Sequence, residues 1–133
     1  VTAAAENGSP RSPFSVLLCD DNALLLETLD EVVRAQPDME VVGLAREGEE
    51  ALRLAALHRP DLVVLDVRFP GGGPSVARGI AKCSPASRVV VFSAYDDKTS
   101  VEQMTLAGAR EYVLKGTGNR TLIAALRRAA EAT

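Results

Sequence analysis

Tryptophan is absent from this 133-residue chain, histidine occurs once, cysteine twice, and aromatic residues make up only 4%. Each scarcity excludes something. With so few rings, the core has to be packed from Leu, Val and Ala. The lone histidine, His58, stands beside Arg59-Pro60 near a helix end and reads as a solvated surface residue, which leaves little room for a Ser-His-Asp hydrolase. Cys19 at the end of an apolar run and Cys83 at a helix end read as small hydrophobes in a reducing compartment rather than as a disulfide, which points to the cytoplasm. No apolar stretch approaches the roughly 18 residues of a membrane span, and the first residues lack the basic-then-apolar pattern of a secretory signal. Lys and Arg number 15 against 18 Asp and Glu, a formal net charge of −3. That balance argues against a nucleic-acid surface within this stretch, because such surfaces need clustered Lys and Arg. What is present is 47% hydrophobic residues in one domain's length of chain, enough for a single core burying roughly two-thirds of the unfolded surface.

Residues 1–13 are small, polar and broken by Pro10 and Pro13, and read as a disordered tail or an expression scar outside the fold. From Phe14 onward, apolar runs alternate with amphipathic ones. Strands are predicted at 14–19, 39–45, 62–65, 88–92 and 110–114. Helices are predicted at 23–36, at 48–57, past the break at Gly71-Gly72-Gly73-Pro74 to about Cys83 with Pro74 in the first turn, at 97–106 and at 120–132. Asp21 or Asn22 is a plausible cap for the first helix. The order is (βα)₅, and right-handed crossovers force such a chain into a doubly wound α/β fold, a five-stranded parallel sheet between helices.

Four of the apolar runs end on polar residues of different kinds: Asp20-Asp21, Asp66, Ser93 and Lys115. The carboxyl ends of parallel strands share one edge, where open α/β folds place their sites. Asp20, Asp21 and Asp66 together offer a hard, all-oxygen site that leaves coordination positions to water, as magnesium prefers. Without a cation the three would repel, and one would take up a proton. The plainer reading of Asp20-Asp21-Asn22 is a helix cap; Asp66 after a wholly apolar strand weighs against it. Ser93 and Lys115 bring a hydroxyl and an ammonium suited to the oxygens of a phosphoryl group on Asp66, and a carboxylate oxygen is a competent nucleophile for an acyl phosphate.

These residues carry a family resemblance. Cys19-Asp20-Asp21-Asn22, Asp66-Val67-Arg68-Phe69-Pro70-Gly71, Val91-Phe92-Ser93-Ala94 and Gly108-Ala109-Arg110-Glu111-Tyr112-Val113-Leu114-Lys115 resemble the motifs of a two-component response regulator receiver domain. The passage Lys115-Gly116-Thr117 is most similar to the receivers of NarL/FixJ (LuxR-type) transcriptional regulators. The resemblance covers residues 14–133 as the receiver domain and implies a flavodoxin-like sheet of order 2-1-3-4-5. It implies that Asp66 accepts a phosphoryl group from a sensor histidine kinase, with Mg²⁺ organised by Asp20, Asp21, Asp66 and the backbone carbonyl of Arg68. Ser93, Ala94 and Lys115 would bind the phosphoryl group. Ser93 and Tyr112 would form the switch that re-shapes the surface of helix four, strand five and helix five. The implied output is transcription through a carboxyl-terminal helix-turn-helix domain outside this chain, the only route to DNA, with a homodimer as a further partner state and no membrane. The chain stops at Thr133, just past the fifth helix, as expected of a truncated receiver or a stand-alone regulator.

The sequence also departs from the family pattern. Phe69 stands where Met is common, Gly116 where Pro is often seen, and Pro74, after three glycines, where Gly is common. The loop after Asp66 is therefore expected to be mobile through Gly71–Gly73 and then stiffened, ahead of a short third helix. Arg68 and Tyr95 are expected at the mouth of the pocket, where their bulk would slow phosphate loss; the other fate for Arg68 is to point into solvent. Gly71-Gly72-Gly73 lacks the following Lys-Ser or Lys-Thr of a nucleotide loop. Arg46-Glu47 with Glu49-Glu50 reads as a solvated helix start. An aspartate-nucleophile phosphatase of the haloacid dehalogenase type needs a second Asp two residues past the nucleophile, and Arg68 occupies that place. A further alternative is a stand-alone or atypical receiver acting as an interaction module with weak phosphorylation.

Overall fold

The computed structural model describes residues 13–131. The expected tail, but for Pro13, and the expected last helical residue, Ala132, lie outside the described residues. Strands β1 (Phe14–Cys19), β2 (Met39–Ala45), β3 (Leu62–Leu65), β4 (Arg88–Ser93) and β5 (Glu111–Leu114) alternate with helices α1 (Ala23–Arg34), α2 (Gly48–His58), α3 (Gly73–Cys83), α4 (Lys98–Leu106) and α5 (Asn119–Glu131). The strands form one parallel sheet in the order β2-β1-β3-β4-β5. This is the flavodoxin-like order.

Alternation along each strand divides the core in two. Val16, Leu18, Leu62, Val64, Val90 and Phe92 face α1 and α5, meeting Leu26, Leu29, Val33, Leu122 and Leu126. Leu17, Val63, Leu65, Val89 and Val91 face the other way, onto Ala51, Ala55, Val76, Ile80 and Met104 of α2, α3 and α4. A strand covered on both faces must be apolar throughout, which is why Leu62–Leu65 reads Leu-Val-Val-Leu and is wholly buried.

The register sets the site. Cys19 pairs with Leu65, and Leu65 with Val91, so the residues that follow, Asp20 and Asp66, emerge side by side. Ser93 pairs with Leu114, which puts Lys115 one step beyond. The sheet order reverses at β1 and β3, where a crevice opens at the strand ends.

Helix ends refine the expected boundaries. Asn22, not Asp21, caps α1, its side chain accepting the Leu25 amide at 3.1 Å. That helix stops at Arg34 rather than at 36, where Gln36 N–H turns back to Val33. The charged run at 46–50 does more than meet solvent: Glu47 accepts the amides of Glu49 and Glu50, and Glu50 reaches back to the Arg46 amide at 2.9 Å. The third helix is not short. It runs 11 residues, as long as α2, beginning at Gly73, with Pro74 in its first turn as expected. Cys19 and Cys83 are both free thiols, and His58, the last residue of α2, is exposed.

Candidate functional site

Asp20 and Asp66 are buried carboxylates, 2% and 7% exposed. A buried charge requires a partner, and one group serves both: the Lys115 ammonium donates to Asp20 Oδ2 at 2.7 Å and to Asp66 Oδ2 at 3.0 Å. Burial pulls the lysine downward, but the hydrogen bonds and charges of Asp20 and Asp66 outweigh it and hold the ammonium above its ordinary value. The remaining carboxylate oxygens are held from the backbone. Asp20 Oδ1 accepts the Asn22 amide at 2.9 Å and Asp66 Oδ1 the Arg68 amide at 3.2 Å.

Asp21 is exposed and offers its carboxylate to the same hollow. One oxygen each from Asp20, Asp21 and Asp66 lies within 4.8 Å of the others. Its backbone is anchored separately, the carbonyl accepting the Arg46 guanidinium at 3.0 Å, while Asp20 N–H bonds to Ala45 at 3.1 Å. With Asn22 doing the capping, the Asp21 carboxylate is not consumed by the helix start. The donor set is all oxygen, anionic and open on one side, and it fits a small divalent cation such as Mg²⁺. Lys115 supplies part of the charge balance that the sequence left to a cation or a proton.

On the other side of the crevice Ser93 is fully buried, and its Oγ accepts the Tyr95 amide at 3.1 Å. Ala94 is exposed at the start of the loop that follows. Tyr112 is half-buried with its phenol donating to the Tyr95 carbonyl. Burial pushes that phenol upward, as do the carboxylates of Asp97, Asp66 and Asp96, against a lowering contact with the Ser93 hydroxyl. Arg68 and Tyr95 meet: the guanidinium carbon sits 4.0 Å from the centroid of the tyrosine ring. The sequence placed both residues at the pocket mouth but carried no signal for the stack, because they lie on loops after different strands.

The loop after Asp66 is more constrained than its glycines suggest. Gly73 N–H bonds to the Val67 carbonyl at 3.1 Å, Gly72 N–H to Phe69 at 2.8 Å, and Gly48 N–H on α2 to Pro70 at 2.8 Å. Phe69 is buried in the core between the sheet and α2, α3 and α4. Gly71 and Gly72 have φ of 102° and 87°, which explains glycine there. Gly73 is required for a different reason: a Cβ on it would lie 2.4 Å from the Val67 carbonyl oxygen. The expected mobility of Gly71–Gly73 is thus offset by hydrogen bonds and close packing.

Sheet order, strand-end carboxylates and the bridging lysine together define a receiver. The chain belongs to the response regulator receiver domain family, whose pattern matches residues 16–127. It is 32% identical over 116 residues to the oxygen regulatory protein NreC of Staphylococcus epidermidis, covering 86% of this chain and 53% of that protein. It is 34% identical over 123 residues to the nitrate/nitrite response regulator protein NarL of Escherichia coli K12, covering 92% of this chain and 57% of that one. Among solved structures, a two-component response regulator of the LuxR family from Aurantimonas sp. SI85-9A1 superposes with a TM-score of 0.84 at 29% identity, over 90% of this chain and 86% of that chain. The chain spans little more than half the length of the curated relatives it matches. It is a receiver domain, a signalling module rather than a metabolic enzyme. No helix among the described residues is long and apolar enough to cross a membrane.

Proposed function

We propose that Asp66 is the phosphoacceptor of this receiver and that a sensor histidine kinase is the donor. The observation that carries this reading is Lys115, whose ammonium bridges Asp20 and Asp66 at 2.7 and 3.0 Å beside the Asp21 carboxylate. An Asp66 oxygen attacks the phosphorus of a phosphohistidine. The O–P bond forms, the P–N bond breaks, and the imidazole leaves with a proton. Asp20, Asp21, Asp66 and the Arg68 carbonyl would hold Mg²⁺, which supplies charge neutralisation for the phosphoryl oxygens.

The product brings about −2 charge and three strong acceptors into the hollow. Lys115 is already hydrogen-bonded to Asp66 and can pass to a phosphoryl oxygen. The Ala94 backbone N–H and the Ser93 hydroxyl would take the others. Ser93 then gives up the Tyr95 amide, so the loop that also accepts the Tyr112 phenol must adjust. In this reading Ser93 and Tyr112 pass the change to the surface of α4, β5 and α5, where homodimerisation follows. Receivers hydrolyse their own acyl phosphate, and Arg68 and Tyr95 screen the water that does so. Relatives named as transcription regulators support an output through a DNA-binding domain outside this chain, in the cytoplasm.

Incubation with a small-molecule phosphodonor and Mg²⁺ tests this directly. Intact mass should rise by one phosphoryl group for the wild type and stay constant for Asp66→Asn. No gain in the wild type would leave the domain as an atypical receiver that works by protein interaction.

A further inference from the structure

Arg68 presents a problem for the site it borders. Three carboxylates and one ammonium leave the hollow with a formal excess of two negative charges. A guanidinium is an effective substitute for a bound cation there, since its planar fork matches carboxylate oxygens. Arg68 lies two residues from Asp66 and its own amide is hydrogen-bonded to Asp66 Oδ1 at 3.2 Å. Yet its side chain forms no ion pair with Asp20, Asp21 or Asp66. It lies across the face of Tyr95, 4.0 Å from the ring centroid.

Tyr95 is itself held where it can do this. Its amide is on Ser93 Oγ at 3.1 Å and its carbonyl accepts the Tyr112 phenol, so its backbone is held on both sides of the residue although 43% of the residue is exposed. The Arg68 charge is felt on this outer side as well. Asp97 sits below its ordinary value chiefly through the Ser100 hydroxyl and amide, with Arg68 adding a smaller contribution.

We infer that Tyr95 is a positioning residue for the metal site: its ring holds the Arg68 guanidinium out of the carboxylate hollow and so keeps that hollow available to Mg²⁺. This rests on the metal reading proposed above. The tyrosine acts only through the arginine, and the ring face rather than the hydroxyl is what matters.

The test is calorimetric titration of MgCl₂ into the unphosphorylated protein in four variants. Tyr95→Ala should bind Mg²⁺ more weakly by about two- to fivefold, the factor carried by an exposed cation–π contact. Tyr95→Phe keeps the ring and should match the wild type. Arg68→Ala should bind at least as tightly as wild type, since the competing charge is gone and the backbone carbonyl remains. Tyr95→Ala combined with Arg68→Ala should recover the lost affinity. A Tyr95→Ala protein that binds Mg²⁺ as tightly as wild type overturns the inference, as does a loss that persists in the double variant. A wild type that takes up no Mg²⁺ overturns the metal reading itself, and this inference with it.

Discussion

The two loops that close the site are built in opposite ways. Residues 66–73, after β3, are tied by backbone hydrogen bonds to themselves and to α2, with Phe69 driven into the core. Residues 94–97, after β4, are exposed throughout. Side chains hold them: Ser93 on the Tyr95 amide, Tyr112 on the Tyr95 carbonyl, and Arg68 on the ring. A loop tied by several backbone hydrogen bonds and a core anchor has one arrangement, whereas one held by side-chain contacts can exchange them for others at little cost. One loop is therefore scaffold for Asp66, and the other is free to respond to changes in the hollow.

The largest effect should come from the scaffold side. Phe69→Ala removes a ring buried against the α2, α3 and α4 face of the sheet and should destabilise the fold by about 3–5 kcal/mol. Phe69→Met, nearer in volume, should cost less than about 1.5 kcal/mol. Denaturant midpoints measure both. Comparable losses from Tyr95→Ala would break the contrast between the loops, because an exposed ring has little to lose.

Gly73→Ala should come next. The new Cβ would meet the Val67 carbonyl oxygen at 2.4 Å and the Asp66 carbonyl oxygen at 2.8 Å. These are backbone atoms that cannot swing aside, so the end of β3 or α3 has to shift. A loss of about 1–3 kcal/mol is expected, together with slower phosphorylation from a small-molecule donor. Normal stability with normal phosphorylation would show that this loop yields more easily than its hydrogen bonds imply.

How much of this was legible in the chain follows from the same contrast. Leu62–Leu65 into Asp66 reads as a central strand and its site residue because continuous apolarity needs both faces covered. The (βα)₅ alternation likewise comes from periodicity, while the 2-1-3-4-5 order came through the resemblance, since periodicity does not say which strands are neighbours. Asp21 and Asn22 are both good caps, so local propensity could not choose between them. The full length of α3 is hidden because three glycines in a row look like a break; at Gly73 the glycine answers a tertiary approach to Val67. The Lys115 bridge and the Arg68–Tyr95 stack depend on distances between separate loops, and no short-range pattern encodes them.

Where the side chains of the two loops meet, the expected changes are kinetic. Arg68→Ala opens the mouth of the pocket and should shorten the lifetime of the phosphorylated protein several-fold, because water reaches the acyl phosphate more freely. Stability should hardly move. The decay of the phosphorylated mass with time reads this directly. An unchanged lifetime would confine Arg68 to its action on cation binding.

The smallest effect lies where the adjustable loop ends. Asp97 caps α4, accepting the Ser100 amide at 3.1 Å and the Ser100 hydroxyl at 2.8 Å, and these bonds hold its carboxyl below the ordinary value of 3.8. A carboxyl lowered by folding contributes stability above its unfolded value and loses it as pH falls through the folded one. Wild type and Asp97→Ala should therefore differ at neutral pH and converge as pH drops below 3.8. The difference should appear as faster amide exchange in the first turn of α4 of the variant, with little change in the global transition. Asp97→Asn, which keeps an acceptor but cannot titrate, should retain part of the protection with a weaker pH dependence. Equal protection in wild type and Asp97→Ala at neutral pH would mean that the Ser93, Tyr112 and Arg68 contacts hold this loop without its cap.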